Sequence, residues 1–479
     1  MPIILWFCVS IAIGAYITGP IMDPDLWWHI TVGRWIWAQK AVPVVDHWNL
    51  FGAGKPWVAY SWSNEVVYAL VESHFGILGL LSLKLGLAAL IGLSFFWVLY
   101  RLSKDLFIGG AFGALTTLSV FNHFTLRPQS LIWVVFVWLI YFCEEIRSKG
   151  LTAKSLFGIF LCMFIWANTH ISGALGLFLI FCWLIEVDVF LTVKVLALGF
   201  IATLLTPYLG AEWLVFLGTS SHPFSHKTIV EFHPANITQH STGFVIFFGA
   251  ILLYFAHYMP RALGTMRLLG AIVFLLAGVT VVKFLPFASI IICALIALYF
   301  REGAFEVQGL GEGVRRLKHQ FERIPEQGLA FLFLCLLAVS ISRVWARPLS
   351  QEIVPQAAVD FMFSQNLPKP WLNDFEHGGY MIYRLSDRKG AVSDLVPIDG
   401  RTNVTPQEVF DKADAALRGK ANWQEYLDMV KPNTILWPSE SPLCSILEVS
   451  GMWCRVFHSG DNKRGHSVFV RRGAGKVCL

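Results

Sequence analysis

The chain has 479 residues, of which 56% are hydrophobic and only 14% are charged, and its formal net charge is +5. This composition excludes an ordinary soluble domain and indicates a polytopic membrane protein. The small positive charge gives no support for nucleic-acid binding, because the basic residues are distributed over the loops between apolar runs.

Apolar runs dominate the chain up to its tail. A transmembrane helix needs about 20 such residues to cross a hydrocarbon core of roughly 30 Å. The first run lacks a basic leader and a small-residue cleavage site, so it predicts a retained helix rather than a signal peptide. The eleven runs begin near Pro2, Ile77, Leu106, Ser130, Ser155, Ser172, Val193, Thr242, Met266, Leu285 and Gly328.

Basic residues occupy every second connection between these runs, which the positive-inside rule assigns to the cytoplasm. An odd number of spans then places the N-terminus inside and the tail from Arg347 outside. The basic residues in these connections are Arg101, Lys104, Arg147, Lys149, Lys154, Lys194, Arg261, Arg267, Arg301, Arg315, Arg316, Lys318 and Arg323.

The first outer loop, residues 20–76, begins with Asp23, Asp25 and His29, close to where the chain leaves the membrane. Ionisable groups at this boundary are candidates for function. Asp23 before Pro24 also has the pattern of a helix cap, so catalysis and capping are both open for the two carboxylates. His29 shares a helical face with Asp25, and it either contacts substrate or packs between tryptophans.

The same loop is rich in tryptophan. Leu26, Ile30 and Trp37 form one face of a predicted helix from Pro24 to Ala38, and we expect that face to enter the lipid interface. Indole rings settle at headgroup depth, so the tryptophans predict a membrane anchor, with stacking on a sugar or prenyl chain as the alternative. They are Trp27, Trp28, Trp35, Trp37, Trp48, Trp57 and Trp62.

Three cationic or imidazole side chains in later outer connections are candidate ligands for a lipid phosphate: Arg127, His170 and Lys283. Arg127 is favoured because its planar guanidinium matches phosphate oxygens. The alternative for Arg127 and Lys283 is that the side chains extend to the lipid headgroups without binding substrate.

Glu231 and His233 lie in a long outer loop and are two residues apart. In an extended segment this spacing points both side chains to the same side. Together with Asp25 they would form an oxygen and nitrogen site for Mg²⁺ or Mn²⁺, or they bind substrate without metal.

The tail, residues 347–479, mixes polar and apolar residues and contains turn signals. Strand-like runs occur at Thr434 to Trp437 and at His466 to Val470, so we expect a soluble α/β domain of about 120 residues. Asp399 and Arg401 predict an internal ion pair or, alternatively, a contact to the acceptor. The sequence leaves open whether Cys444 and Cys454 form a disulfide.

Several motifs together resemble a widespread group of bacterial inner-membrane proteins related to type C glycosyltransferases (GT-C). The resemblance spans nearly the whole chain, and its most specific motif is Asp-Pro-Asp-Leu-Trp-Trp-His at residues 23–29. The other motifs are Gly33-Arg34-Trp35, Pro56-Trp57, Arg127-Pro128-Gln129, Trp166-Ala167-Asn168, Glu231 with Pro234, His377-Gly378-Gly379-Tyr380 and Asp399-Gly400-Arg401.

This resemblance implies an all-α membrane domain of GT-C type, with about 11 transmembrane helices, in residues 1–346. It implies an extracytoplasmic α/β domain in residues 347–479, with the protein in the bacterial inner membrane, its N-terminus cytoplasmic and its C-terminal domain periplasmic. It also implies that an acidic residue of the first outer loop, Asp23 or Asp25, is catalytic, and that the sugar donor is a polyprenyl phosphate or pyrophosphate.

Such a transfer needs few protein groups, because a lipid phosphate is already a competent leaving group. A base must deprotonate the acceptor hydroxyl, and cations must hold the phosphate as charge develops on it. The sequence therefore predicts a glycosyltransferase that acts on an extracytoplasmic glycan, lipid or protein. Two alternatives are a non-catalytic protein that binds or translocates lipid-linked glycans and an accessory subunit of an envelope complex.

Overall fold

The computed structural model describes residues 3–220, 229–236, 238–258, 263–302, 310–323, 325–460 and 465–474. Arg261 and Cys478 lie outside the described residues. The chain forms two compact units, which we call the helical unit and the sheet unit. The helical unit contains Met1–Gly19, Leu81–Gly210 and Ile229–Ala346, and the sheet unit contains Pro20–Leu80, Ala211–Thr228 and Arg347–Leu479.

Helices make up most of the chain before the tail, and one begins near the start of each apolar run. In chain order they are α1 (Ile3–Ile17), α2 (Leu26–Gln39), α3 (Trp62–Ser103), α4 (Leu106–Ser119), α5 (Pro128–Lys149), α6 (Ala153–Thr169), α7 (Gly173–Leu184), α8 (Val189–Leu204), α9 (Ala211–Ser220), α10 (His240–Tyr258), α11 (Thr265–Thr280), α12 (Leu285–Arg301), α13 (Leu310–Glu322) and α14 (Glu326–Ala346).

Among the described residues, four helical segments are long and apolar enough to cross a membrane: Trp62–Ser103, Pro128–Lys149, His240–His257 and Val282–Arg301. Other apolar helices of the helical unit are shorter. These helices support a membrane protein, whereas the number of eleven spans stays a prediction.

α12 is the central helix of the helical unit. Every side chain from Leu285 to Phe300 is buried, and α12 packs against α4, α5, α10 and α11. A helix that is apolar on all sides is expected at such a central position, because no polar face needs solvent.

α3 consists of two helices joined at Gly76, whose φ of 59° and ψ of −153° are far from helical values. Glycine adopts this conformation without steric cost. The break lies next to the predicted start of the second apolar run at Ile77. Residues 20–80 belong to the same compact unit as the tail, whereas the sequence grouped the first outer loop with the membrane helices.

Both strand-like runs predicted in the tail are strands in the structure. Strands β1 (Trp371–Asn373), β2 (Thr434–Pro438), β3 (Trp453–Ser459) and β4 (His466–Arg471) form a sheet in the order β1-β2-β4-β3. β1 and β2 are parallel, and β4 is antiparallel to both β2 and β3. The helices of the tail are α15 (Gln356–Ser364), α16 (Gly378–Leu385), α17 (Gln407–Leu417), α18 (Gln424–Val430) and α19 (Pro442–Val449).

The apolar face of α2 lies in the protein core, so the prediction that this face enters lipid is wrong. Leu26 and Ile30 are fully buried, whereas Trp37 is 52% exposed. α2 packs against α16, and the rings of Trp27 and Tyr380 lie edge to face at 5.0 Å. The tail thus supplies the apolar partner that we had expected from the bilayer. Four tryptophans of the loop are buried: Trp27, Trp28, Trp48 and Trp57.

The Cys444 to Cys454 disulfide does not form. Cys444 lies in α19 and has a free, buried thiol, whereas Cys454 is disulfide-bonded. The Cys444 thiol donates a hydrogen bond to the carbonyl oxygen of Pro438 at 3.2 Å. Burial raises the pKa of this thiol to about 12, so it is unreactive at neutral pH.

Candidate functional site

The two carboxylates before α2 have different positions. Asp23 is 3% exposed, and its Oδ1 accepts the backbone N–H of Asp25 at 2.9 Å. Asp25 is the N-cap residue of α2, but its side chain caps no backbone N–H. Instead, its Oδ1 accepts a hydrogen bond from Trp28 Nε1 at 3.1 Å. Asp23 therefore shapes the turn, and the half-buried Asp25 is the more accessible carboxylate.

The Asp399-Gly400-Arg401 motif of the tail approaches the same loop. A Cβ atom at Gly400 would lie 1.8 Å from Oδ1 of Asp25. This is far shorter than any van der Waals contact, so a side chain at this position would displace the carboxylate. Glycine in this motif is thus explained by its packing against the acidic loop.

Arg401 forms an ion-pair cluster in the core of the sheet unit. Its Nε lies 2.7 Å from Asp399 Oδ1, and its Nη1 lies 2.5 Å from Asp46 Oδ1. All three side chains are nearly inaccessible to solvent. Burial alone would raise the pKa of Asp399, but the Arg401 guanidinium and the Asn49 amide hold it below its usual value. The internal ion pair is confirmed, and it leaves Arg401 no exposed face for an acceptor.

His29 contacts a buried carboxylate that the sequence did not assign to the site. His29 Nδ1 lies 3.0 Å from Glu65 Oε1, and the two residues are 5% and 1% exposed. The second oxygen of Glu65, Oε2, is buried with no hydrogen-bond partner among the described residues. Tyr68, one turn along α3, lies edge to face with the His29 ring at 6.3 Å.

A half-satisfied buried carboxylate costs free energy, which is more typical of a functional site than of a core. The sequence offered little sign of this, because an acidic residue in the first turn of a helix is ordinarily explained by the helix dipole. Glu65 is therefore the main residue that the sequence interpretation missed.

In the helical unit, Arg127, Glu231 and Lys283 lie near one another. Arg127 Nη1 forms an ion pair with Glu231 Oε1. Lys283 Nζ lies 3.3 Å from the centroid of the Phe232 ring, and its backbone carbonyl accepts a hydrogen bond from Gln129 Nε2 at 3.3 Å. Lys283 forms no ion pair within 4.0 Å in the part of the chain that the structure describes, so its ammonium is available to an anion.

His170 is neutral at pH 7. The backbone N–H of Ser172 donates to His170 Nδ1 at 3.3 Å, so Nδ1 is an acceptor and the ring proton is on Nε2. Burial and the nearby Lys283 ammonium lower the pKa of His170 to about 3. His170 can therefore offer a phosphate a hydrogen bond but no positive charge.

Glu231 and His233 do not share a face, because Val230–Phe232 is a 3₁₀ turn rather than an extended segment. Residues two apart on such a turn point in different directions. The carboxylate of Glu231 is already paired with Arg127. Across the described ranges, no three His, Cys, Asp or Glu side chains form a group that would hold a metal.

A third polar cluster lies in the tail, at the amino-terminal end of α16. His377 Nδ1 lies 2.6 Å from Asp374 Oδ1, and His377 Nε2 lies 2.9 Å from His466 Nδ1. His466 Nε2 lies 3.2 Å from the carbonyl oxygen of Gln351, which can only accept, so this nitrogen has the proton. If His466 is neutral, its Nδ1 accepts, and His377 must donate from both nitrogens.

The pKa values agree with this assignment. Burial alone would lower the pKa of His377, but Asp374 raises it above the usual value. Burial and the His377 charge lower the pKa of His466 to about 4. The two directions therefore agree with a proton shared unequally in the cluster, with His377 the more basic imidazole and His466 the less basic one.

This cluster predicts a stability that depends on pH in two directions. An unfolded histidine has a pKa of about 6.5. Because the folded pKa of His377 is higher, its contribution is fully present below pH 6.5 and is lost as the pH rises through the folded value. Because the folded pKa of His466 is about 4, stability also falls as the pH drops from 6.5 toward 4.

Thermal denaturation of purified protein between pH 4 and 9 would measure this dependence. We expect His377→Gln to lose the alkaline decline and His466→Gln to lose the acidic one. The melting temperature of each variant is compared with that of the unmodified protein across this pH range. If the two depend on pH in the same way, the assignment for the replaced residue is wrong.

The structure thus brings the predicted residues together in two groups. Asp23, Asp25 and His29 lie with Glu65 in the sheet unit. Four others lie in the helical unit: Arg127, Glu231, His233 and Lys283, with His170 close enough to sense the Lys283 charge.

No protein-family model matches this chain, and no curated protein matches it by sequence. Solved structures do match. A crystal structure of the Archaeoglobus fulgidus oligosaccharyltransferase tethered to an acceptor peptide superposes with a TM-score of 0.57 at 10% identity, covering 97% of this chain and 74% of that chain.

ArnT from Cupriavidus metallidurans bound to undecaprenyl phosphate superposes with a TM-score of 0.52 at 15% identity, covering 99% of this chain and 97% of that chain. Its apo state gives a TM-score of 0.51 at 14% identity. Both proteins are GT-C glycosyltransferases. At these identities the similarity shows the fold alone, and that fold agrees with the GT-C architecture that the resemblance of the sequence motifs implies.

Proposed function

We propose that this chain, which has the GT-C fold, is a glycosyltransferase that moves a sugar from a polyprenyl-phosphate-linked donor to an extracytoplasmic acceptor. The observation that supports this most is the acidic loop, where Asp23 holds the accessible Asp25 in place. The solved structures with this fold include one with undecaprenyl phosphate, which belongs to the class of lipid that the proposed reaction releases, and one with an acceptor peptide.

Asp25 is the proposed general base. The acceptor hydroxyl oxygen attacks the anomeric carbon, its proton passes to Asp25, and the bond from the sugar to the phosphate oxygen breaks with its electron pair leaving on the phosphate. Asp23 is a positioning residue, because its Oδ1 binds the backbone of Asp25. The hydrogen bond from Trp28 limits rotation of the Asp25 carboxylate.

Arg127 and Lys283 are the proposed phosphate ligands. Lys283 is the available cation, and its position over the Phe232 ring restricts the flexible side chain. Arg127 forms an ion pair with Glu231, which orients its guanidinium. His170 adds a neutral N–H donor from Nε2. Positive charge at the phosphate stabilises the leaving group as its charge develops.

The mechanism assigns no step to Mg²⁺ or Mn²⁺. Asp25, Glu231 and His233 were the predicted ligands, but Glu231 and His233 diverge on their turn, and Glu231 is paired with Arg127. The pairing of Glu231 and the direction of His233 therefore give no support to a metal-binding role for these two residues.

The reaction is testable with purified protein in lipid nanodiscs and a panel of polyprenyl-phosphate sugars, by measuring release of the polyprenyl phosphate. We expect Lys283→Gln to lower kcat/KM by roughly 10- to 100-fold, which corresponds to the loss of one charged hydrogen bond of about 1.5–3 kcal/mol. Lys154→Gln removes an exposed lysine at the start of α6 and is the matched control.

Equal activity of Lys283→Gln and the control would remove Lys283 from the phosphate site. Binding of donor lipid without release of product from any member of the panel would favour the non-catalytic alternative, a protein that binds or translocates lipid-linked glycans.

A further inference from the structure

A polar cavity lies in the helical unit, at the carboxyl-terminal ends of α3, α5 and α12. Its volume is approximately 200 Å³. This is smaller than the cavities of roughly 300–1,000 Å³ that hold drug-sized ligands, so it suits one small charged group. α5 runs from Pro128 to Lys149, so the cavity lies roughly 30 Å from Arg127 along that helix and is a separate site.

Four cations face two carboxylates in this cavity. The cations are Arg101, Lys104, Lys149 and Arg301, and the carboxylates are Glu144 and Glu145. These residues come from connections that the sequence assigns to the cytoplasmic side. The positive-inside rule explains basic residues on that side, but it does not require them to converge on one cavity.

Both carboxylates are already paired. Glu144 is 4% exposed, with Arg267 Nη1 3.1 Å from one oxygen and Arg301 Nη2 2.9 Å from the other. Glu145 binds Lys149 Nζ at 2.8 Å. Neither acid can therefore neutralise a further cation at short range.

Arg101 and Lys104 form no ion pair with any described residue. The Arg101 guanidinium lies 5.5 Å from the ring centroid of Tyr141 and 5.9 Å from that of Trp97, which restricts its orientation. Lys104 directly follows the last residue of α3 and has a positive φ of 60°. Partial burial and the nearby Arg101 and Lys149 charges lower the pKa of Lys104, as expected in a region of excess positive charge.

We propose that this cavity binds a phosphate monoester, either the headgroup of a lipid or a soluble phosphate. The lining has an excess of two positive charges, and a phosphate monoester has a charge of about −1.5 to −2 at pH 7. A phosphate diester, with a single charge, would leave one cation uncompensated. The guanidinium of Arg101 offers the paired donors that phosphate oxygens accept.

Two binding measurements on purified protein test this proposal. The first records thermal stability during titration with inorganic phosphate, and the second counts bound lipid molecules by native mass spectrometry. The lipid probes are phosphatidic acid, a monoester, and phosphatidylglycerol, a diester. We expect the double variant Arg101→Gln with Lys104→Gln to bind the preferred monoester at least about tenfold more weakly.

Two further variants exclude trivial explanations. Lys154→Gln removes one cation from the same predicted side but outside the cavity, and it should bind normally. The charge-preserving double variant Arg101→Lys with Lys104→Arg should retain most of the binding, which separates loss of charge from loss of folding.

Binding of inorganic phosphate alone would identify a soluble ligand, and binding of phosphatidic acid alone would identify a lipid headgroup; either supports the proposal. Three results would overturn it: no binding of either inorganic phosphate or phosphatidic acid, equal binding by the double glutamine variant, or equal retention of phosphatidylglycerol and phosphatidic acid. Glycosyl transfer does not enter these measurements, so the outcome is independent of the proposed enzyme activity.

Discussion

Replacing Asp25 by asparagine is expected to reduce the rate of sugar transfer by about 10²- to 10⁴-fold, the loss typical of removing a positioned base. Asparagine has nearly the same size, and its side-chain oxygen can still accept the hydrogen bond from Trp28 Nε1. The fold should therefore persist, but the amide cannot take the proton of the acceptor. We expect kcat to fall while KM for the lipid donor is unchanged.

Variants of the neighbouring carboxylate, Asp23, provide the comparison for Asp25→Asn. Asp23→Asn keeps an oxygen for the backbone N–H of Asp25, so it should lose less than roughly tenfold in kcat, whereas Asp23→Ala should lose more. Asp394→Asn removes a partly exposed carboxylate of the tail that pairs with Lys369 at 3.3 Å, and it should be fully active. If Asp25→Asn transfers sugar normally, Asp25 is not the base.

Arg401→Met is expected to destabilise the sheet unit by about 3–5 kcal/mol, the usual cost of removing one partner from a buried ion pair. Arg401 neutralises Asp46 and Asp399, and all three side chains are about 1% exposed or less. Without the guanidinium, two carboxylates stay in a core lined by Trp28, Trp48 and Trp57. Chemical denaturation followed by tryptophan fluorescence would measure the effect.

Two controls separate charge from packing. Arg455→Met removes an arginine that pairs with Glu448 at the surface, and it should cost no more than about 1 kcal/mol. Adding Asp46→Asn and Asp399→Asn to Arg401→Met should recover part of the lost stability, because the unpaired charges are removed. An Arg401→Met protein as stable as the Arg455→Met control would show that the cluster contributes little.

The helices could be predicted from the sequence because the physics that selects them is local. An apolar run of sufficient length satisfies its backbone only as a helix in a membrane, whatever its neighbours are. The helices near Leu106, Ser155 and Leu285 begin within a few residues of the predicted starts. The strands β2 and β4 could also be predicted from the sequence, because short runs rich in β-forming residues between turn signals are a local pattern.

The tertiary structure decided which partner each group uses. Leu26 and Ile30 needed an apolar environment, but lipid and protein satisfy that need equally, and only the folded tail shows that α16 provides it. Cys444 had a plausible partner in Cys454, yet the choice of disulfide depends on distances between segments far apart in sequence.

Some residues of the candidate site could likewise be recognised from the sequence, whereas others could be recognised only from the structure. Composition and position were enough to single out Asp23, Asp25, Arg127 and Lys283, because charged groups at a membrane boundary are costly and therefore informative. Glu65 could not be recognised, since its importance comes from burial against His29, and the divergence of Glu231 and His233 follows from a 3₁₀ turn. The sequence shows the chemistry of each side chain, whereas the burial, pairing and direction of a side chain are set only when distant segments pack together.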